Sequence, residues 1–282
     1  MFHKRTVSSV FLVILFFLIV TLSKKVYFLP ILLVIINAIG IFGALEFYTM
    51  VENKGLKVFK IYGTIASGIL LTTVFLERIV LRLEHFELEG MVLFFIVCLF
   101  FVLQSSRKKV DISAFSNIFI TLGGIFYVSW LFSFLLKINF LFSVDGRLCL
   151  AYLLLVTKIT DIGAYIVGSI WGKNKLIPHV SPNKTVEGSL GGIVMAMVAS
   201  YMGGMWLLPG NLSALHLLAL GFITGVVAQV GDLAESMLKR DANVKDSGSY
   251  IPGMGGVLDL LDSVLFTAPF IYFYLTGILH IK

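Results

Sequence analysis

The chain has 282 residues, 58% of them hydrophobic and only 13% charged, with a formal net charge of +6. A soluble globular domain is excluded, because soluble surfaces need roughly a quarter of all residues charged. A nucleic-acid partner is excluded too, since the basic residues are scattered over short segments between apolar runs and no basic domain exists to hold a duplex.

Nine apolar segments are long enough, or nearly so, to cross about 30 Å of hydrocarbon as helices. They cover residues 7–22, 27–50, 59–76, 90–104, 116–136, 148–170, 188–208, 215–234 and 263–279. The expectation is an all-α, polytopic integral membrane protein of about nine spans. Residues 1–115 form an N-terminal group of spans, and 116–282 a C-terminal group that carries the polar motifs. The first run follows Lys4-Arg5 as a signal peptide would, but no A-x-A-like cleavage site precedes Lys24-Lys25. It reads as a retained span. Pro30 and Pro269 fall inside spans, where kinks are tolerated. The seventh span places Gly188, Gly192, Ala196, Ser200 and Gly204 at every fourth position, a stripe that lets helix backbones pack closely. Cys98 and Cys149 follow no CxxC or metal-ligand spacing and read as packing residues.

The loop cations orient this array. The N-terminus and the loops after spans two, four, six and eight carry Lys4, Arg5, Lys54, Lys57, Lys60, Arg107, Lys108, Lys109, Lys173, Lys175, Lys184, Lys239, Arg240 and Lys245. The opposite side carries Lys24, Lys25, Arg78, Arg82, Lys137, Arg147 and Lys282, half as many. The positive-inside bias therefore puts the N-terminus and both motif-bearing loops, 171–187 and 235–262, in the cytoplasm.

Three polar stretches interrupt the apolar pattern. Asp161 falls near the middle of span six, where a carboxylate is costly unless paired or wet, and Lys158 three residues earlier is its expected partner. The run Ser181-Pro-Asn-Lys184-Thr185-Val-Glu187-Gly188 reads as a loop ending in a helix start, with Thr185 as its cap. Asp232, Ser236, Lys239 and Arg240 are spaced i, i+4, i+7, i+8, which places them on one helix face, and Asp259 and Asp262 share a face of the next span. Carboxylates beside cations suit a divalent metal and a polyphosphate, because hard oxygen ligands hold magnesium while Lys and Arg neutralise phosphate. Gly168-Ser-Ile-Trp-Gly172-Lys173-Asn174 is not a P-loop, having three residues between its glycines and Asn where Ser or Thr is needed. No HExxH or GxSxG pattern is present.

The run Ser236-(x2)-Lys239-Arg240-(x4)-Lys245-Asp246-(x4)-Ile251-Pro252-Gly253-Met254-Gly255-Gly256-(x2)-Asp259-(x2)-Asp262 resembles the signature of the phosphatidate cytidylyltransferase (CDP-diacylglycerol synthase) family. Asp161-Ile-Gly163-Ala164-Tyr165-(x2)-Gly168 and the 181–188 run match the same family, in family order. Met254 stands where a His is usual, and Leu260 where an Arg commonly follows the Asp; neither replaces a carboxylate. The resemblance implies transfer of CMP from CTP to phosphatidic acid, with release of pyrophosphate, at the cytoplasmic face of a bacterial inner membrane. It implies magnesium on Asp232, Asp259 and Asp262, with Ser236, Lys239 and Arg240 completing the catalytic group. Asp161, Ser181, Lys184, Thr185, Glu187, Lys245, Asp246, Gly255 and Gly256 would contact substrate. A second, monovalent cation such as K+ and a homodimer are implied as well. The rival readings are a CTP-dependent enzyme with another lipid acceptor, such as a CDP-archaeol synthase or polyprenol kinase, and an ion-coupled transporter relaying through Lys158 and Asp161.

Overall fold

The computed structural model describes residue 14 and residues 18–81, 88–106, 114–208 and 212–281. Eight helical stretches among them are long and apolar enough to cross a membrane, and they match spans two to nine of the sequence reading. The first expected span, 7–22, lies almost wholly outside the described residues. The protein is an all-α polytopic membrane protein, as its composition requires.

The helices divide between two compact units, one made of residues 1–137 and 241–260, the other of 138–240 and 261–282. In the first unit α1 spans Leu29–Asn53, α2 Lys60–Phe75 and α3 Leu88–Ser105; α4, Ala114–Gly124, runs through the wide turn Ile125–Trp130 into α5, Leu131–Asn139. Pro30 lies in the first turn of α1 rather than inside it. Its missing N–H costs nothing there, so the kink allowed for at this position does not arise. Phe59, Ala66, Leu70, Ile96, Phe100 and Ile118 form the apolar core. Two ties between buried polar groups join the helices of this unit: the Tyr48 hydroxyl donates to the Thr121 carbonyl at 2.8 Å, and Lys137 pairs with Glu89 at 2.6 Å.

In the second unit α6 spans Gly146–Trp171, α7 Val186–Leu207 and α8 Ala214–Asp241, while α9, Leu258–Phe273, starts at the end of the first unit and runs into the second. The expected stripe on α7 is the packing face: Gly188, Gly192, Ala196, Ser200 and Gly204 are all buried. A Cβ on Gly188 would come within 2.7 Å of the Ala164 carbonyl and 2.9 Å of Gly168 Cα, so α6 and α7 touch there through backbone. The Tyr152 hydroxyl and Ser200 Oγ, 2.6 Å apart, add a polar tie between the same helices.

The segment between α6 and α7, read from sequence as a loop, is an antiparallel hairpin of β1, Lys175–Ile177, and β2, Ser181–Thr185. Pro178 and Pro182 favour extended conformations in the residues before them, and Val180 N–H closes the turn onto the Ile177 carbonyl at 3.1 Å. Thr185 caps α7 as expected, its hydroxyl oxygen accepting from Gly188 N–H at 3.1 Å.

Candidate active site

In the second unit a cavity of about 450 Å³ opens beside the hairpin, lined by Asp161 and Tyr165 of α6, Asn183 and Lys184 of β2, and Gln229 and Asp232 of α8. Each element brings its side chain for a local reason. Strand β2 projects Lys184 so that its ammonium pairs with Asp232 Oδ2 at 2.7 Å. Ser236, one turn beyond Asp232, donates to Asp232 Oδ1 at a long 3.4 Å. Lys158 reaches Asp161 Oδ2 at 3.4 Å, the partnership expected from their i, i+3 spacing.

Ser263 ties a third carboxylate to this group. Its hydroxyl lies 3.3 Å from Asp161 Oδ1 and 3.1 Å from Asp262 Oδ1, and its N–H donates to Asp262 at 2.6 Å. One hydroxyl proton serves only one of those carboxylates at a time. Asp161 and Asp262 are thus joined through Ser263, with Lys158 against Asp161, while Asp232, paired with Lys184, lines the same cavity as Asp161. Among the described residues no three His, Cys, Asp or Glu side chains converge tightly enough to hold a metal unaided. The oxygen-only donor set nevertheless fits magnesium, which keeps several waters and takes one or two carboxylates plus substrate phosphates.

The remaining expected residues divide by what they touch. Lys239 pairs with the fully buried Glu235 at 2.8 Å, one turn back on α8. Arg240 Nε donates to the Val180 carbonyl at 3.3 Å, joining the end of α8 to the hairpin turn. Glu187 accepts from Lys173 N–H at 3.1 Å and from the Asn174 side-chain amide at 2.8 Å, so its carboxylate fixes the start of the hairpin segment. Ser181 lies half-buried in β2.

In the first unit the segment 242–257 leads into α9. Lys245 and Asp246 are exposed there. Asp259 Oδ2 accepts from Ser247 N–H at 2.9 Å, Ser247 Oγ–H at 2.9 Å and Gly256 N–H at 2.7 Å. Gly255 has φ of +103°, a left-handed conformation that needs glycine.

Gln229 was not singled out from sequence. Its amide meets the backbone and side chain of Ser189 on α7, with Nε2 donating to the Ser189 carbonyl at 2.9 Å. The available signal was a polar residue three positions before Asp232 in an apolar span.

The sequence pattern of the cytidylyltransferase family matches residues 3–278. A phosphatidate cytidylyltransferase of Bacillus subtilis is 37% identical over 277 residues, covering 96% of this chain and 97% of that protein. A phosphatidate cytidylyltransferase of Synechocystis is 46% identical over 121 residues, 43% of this chain and 41% of that one. An uncharacterised Escherichia coli protein, YnbB, is 42% identical over 130 residues, 46% of this chain and 43% of its own length. With the family pattern spanning nearly the whole sequence and one relative matching end to end, the chain belongs to the cytidylyltransferase family.

Proposed function

We propose that this protein is a membrane-embedded nucleotidyltransferase that makes CDP-diacylglycerol from CTP and phosphatidic acid. The observation that carries the reading is the end-to-end likeness to a phosphatidate cytidylyltransferase. The carboxylates and lysines around the cavity beside the hairpin supply chemistry that suits it.

The phosphate monoester of phosphatidic acid has a second pKa of about 6 by analogy with other monoesters, so it is mostly a dianion at neutral pH and needs no strong base. One of its oxygens forms a bond to the α-phosphorus of CTP while the bridging bond to the β-phosphate breaks, and pyrophosphate leaves. Catalysis is then alignment and charge neutralisation. Lys184 is the cation we place on the triphosphate, exchanging its Asp232 contact for phosphate oxygens, with Arg240 beside the hairpin turn as a second. Lys239, balanced by Glu235, contributes less net charge. Asp232 and Asp262 would hold magnesium, and the sequence motif proposes Asp259 as a further ligand. The metal would neutralise charge on the phosphates. Tyr165 and Gln229 line the same cavity and would orient bound substrate.

The cation distribution supports a cytoplasm-facing site, and bacterial relatives support the inner membrane as its location. The family resemblance supports a homodimer. Purified protein in lipid-containing micelles, given CTP and phosphatidic acid, should release pyrophosphate and CDP-diacylglycerol together. Turnover only with a polyprenol or an archaeal ether lipid would overturn the acceptor assignment.

A further inference from the structure

Glu46 is an intramembrane carboxylate that the sequence motifs do not include. It sits on α1, is 2% exposed, and grips the segment that carries the family signature, all within the first unit. Its Oε1 accepts from Val257 N–H at 2.8 Å and its Oε2 from Leu258 N–H at 2.9 Å, while Ser247 Oγ lies 3.0 Å from Oε2 and its one proton is shared between Glu46 and Asp259. Leu258 opens α9 and Val257 immediately precedes it, so Glu46 accepts from N–H groups at the helix start that have no partner within the helix. The Ser247 hydroxyl is also 2.9 Å from Asp259 Oδ2, which makes it the bridge between the two carboxylates.

The neighbouring glycines fit around that carboxylate. A Cβ on Gly256 would lie 2.5 Å from both Glu46 oxygens, and one on Gly248 would collide with Glu46 as well. Gly256, expected from sequence to contact substrate, is thus required by the approach of Glu46. Tyr250 packs on Phe42 with ring centroids 4.9 Å apart, one turn along α1 from Glu46, so the segment rests on this helix at two places. The proposed substrate chemistry does not involve Glu46, yet a buried carboxylate in a span needs partners, and its partners are the Ser247 hydroxyl before the glycine turn and two backbone N–H groups after it.

We infer that Glu46 is a positioning residue for the reaction: by holding Ser247, Val257 and Leu258 it sets the conformation of residues 246–259 and with it the direction of Asp259. The inference rests on the assignment of the 245–262 signature to the active site. Glu46→Gln keeps the volume but replaces one acceptor oxygen with an amide that donates, directed at groups that themselves donate. In the full-length protein in lipid-containing micelles, amide exchange in peptides covering 246–259 should accelerate at least about tenfold while the other helices keep wild-type protection. Turnover with CTP and phosphatidic acid should fall about a hundredfold, since displacement of aligned groups by roughly 1 Å costs that much. The loss should appear mainly in kcat, with a smaller change in KM for CTP.

Unchanged exchange in 246–259, or acceleration spread over the whole chain, overturns the inference. If Glu46→Gln does not purify, Ser247→Ala decides on the same two readouts. Faster local exchange with lower kcat supports the inference, and wild-type values in both overturn it. Asp259→Asn run in parallel separates the two possible failures. Faster local exchange with wild-type turnover in Glu46→Gln, beside an inactive Asp259→Asn, overturns the positioning role alone. The same result beside an active Asp259→Asn overturns the site assignment and the positioning role with it.

Discussion

Replacing Asp232 by Asn removes one negative charge at nearly constant volume, and the structure separates what that should do to stability from what it should do to rate. The side chain is 30% exposed, pairs with Lys184 at 2.7 Å and accepts from Ser236 at 3.4 Å. A pair this open to solvent contributes at most about 1 kcal/mol, and the long hydroxyl contact less. Asp232→Asn should therefore insert and purify normally and melt within about 4 °C of the parent. Loss of a magnesium carboxylate, by contrast, removes several kcal/mol of transition-state stabilisation, on the order of a thousandfold in turnover. The CTP requirement supplies an independent sign. Were Asp232 only the partner of Lys184, its neutralisation would leave that lysine uncompensated and lower KM for CTP with little change in kcat. The assay is CTP-dependent formation of CDP-diacylglycerol in lipid-containing micelles, paired with thermal unfolding of the same preparation. Retention of more than about a tenth of parental turnover, equivalent to about 1.4 kcal/mol, would refute the ligand assignment.

Lys184→Gln should raise KM for CTP about tenfold or more, because a charge-assisted phosphate contact is lost, and an unchanged KM would remove Lys184 from the nucleotide site. Lys239→Gln should act differently. Taking the ammonium from the fully buried Glu235 should cost about 3 kcal/mol of stability, read as a lowered melting temperature, and a large rise in KM without destabilisation would restore a direct phosphate role. Gly188→Ala should push α6 and α7 apart at the Ala164 carbonyl and destabilise by about 1–3 kcal/mol, so a wild-type melting curve would contradict the backbone contact. Single cysteines at Asn174 and His280, with Cys98 and Cys149 replaced, should label from opposite sides of sealed vesicles. Labelling of both from one side would break the span alternation.

What the sequence revealed and what it concealed follow from the distance between interacting residues. The presence of spans two to nine, the Thr185 cap and the Lys158–Asp161 pair depend on residues near one another along the chain, and these were legible. The apolar pattern of the eighth span stops at 234 while α8 runs on to Asp241, as the helix face shared by Asp232, Ser236, Lys239 and Arg240 requires; Lys239 and Glu235 sustain that last turn through their own pairing. The hairpin escaped notice because two strands this short show no alternation to read. Glu46 and Gln229 were concealed for another reason. Their partners lie 201 and 40 residues along the chain at Ser247 and Ser189, and periodicity carries no information about which distant backbone a buried polar group will meet.

The glycine contact between α6 and α7 also bears on chain entropy. Residues 172–185 must leave one helix and enter the next, and backbone-to-backbone packing at Gly168 and Gly188 fixes the two exits a short distance apart. The cost of closing that connection is then met when the helices associate, not when substrate arrives. Lys184 needs no search to reach Asp232, because the strand that bears it is clamped at its root by Thr185 and Glu187. A bulkier residue at either glycine would loosen this clamp, making the wandering of the lysine a rate-limiting nuisance for an enzyme whose cavity walls had lost no side chain at all.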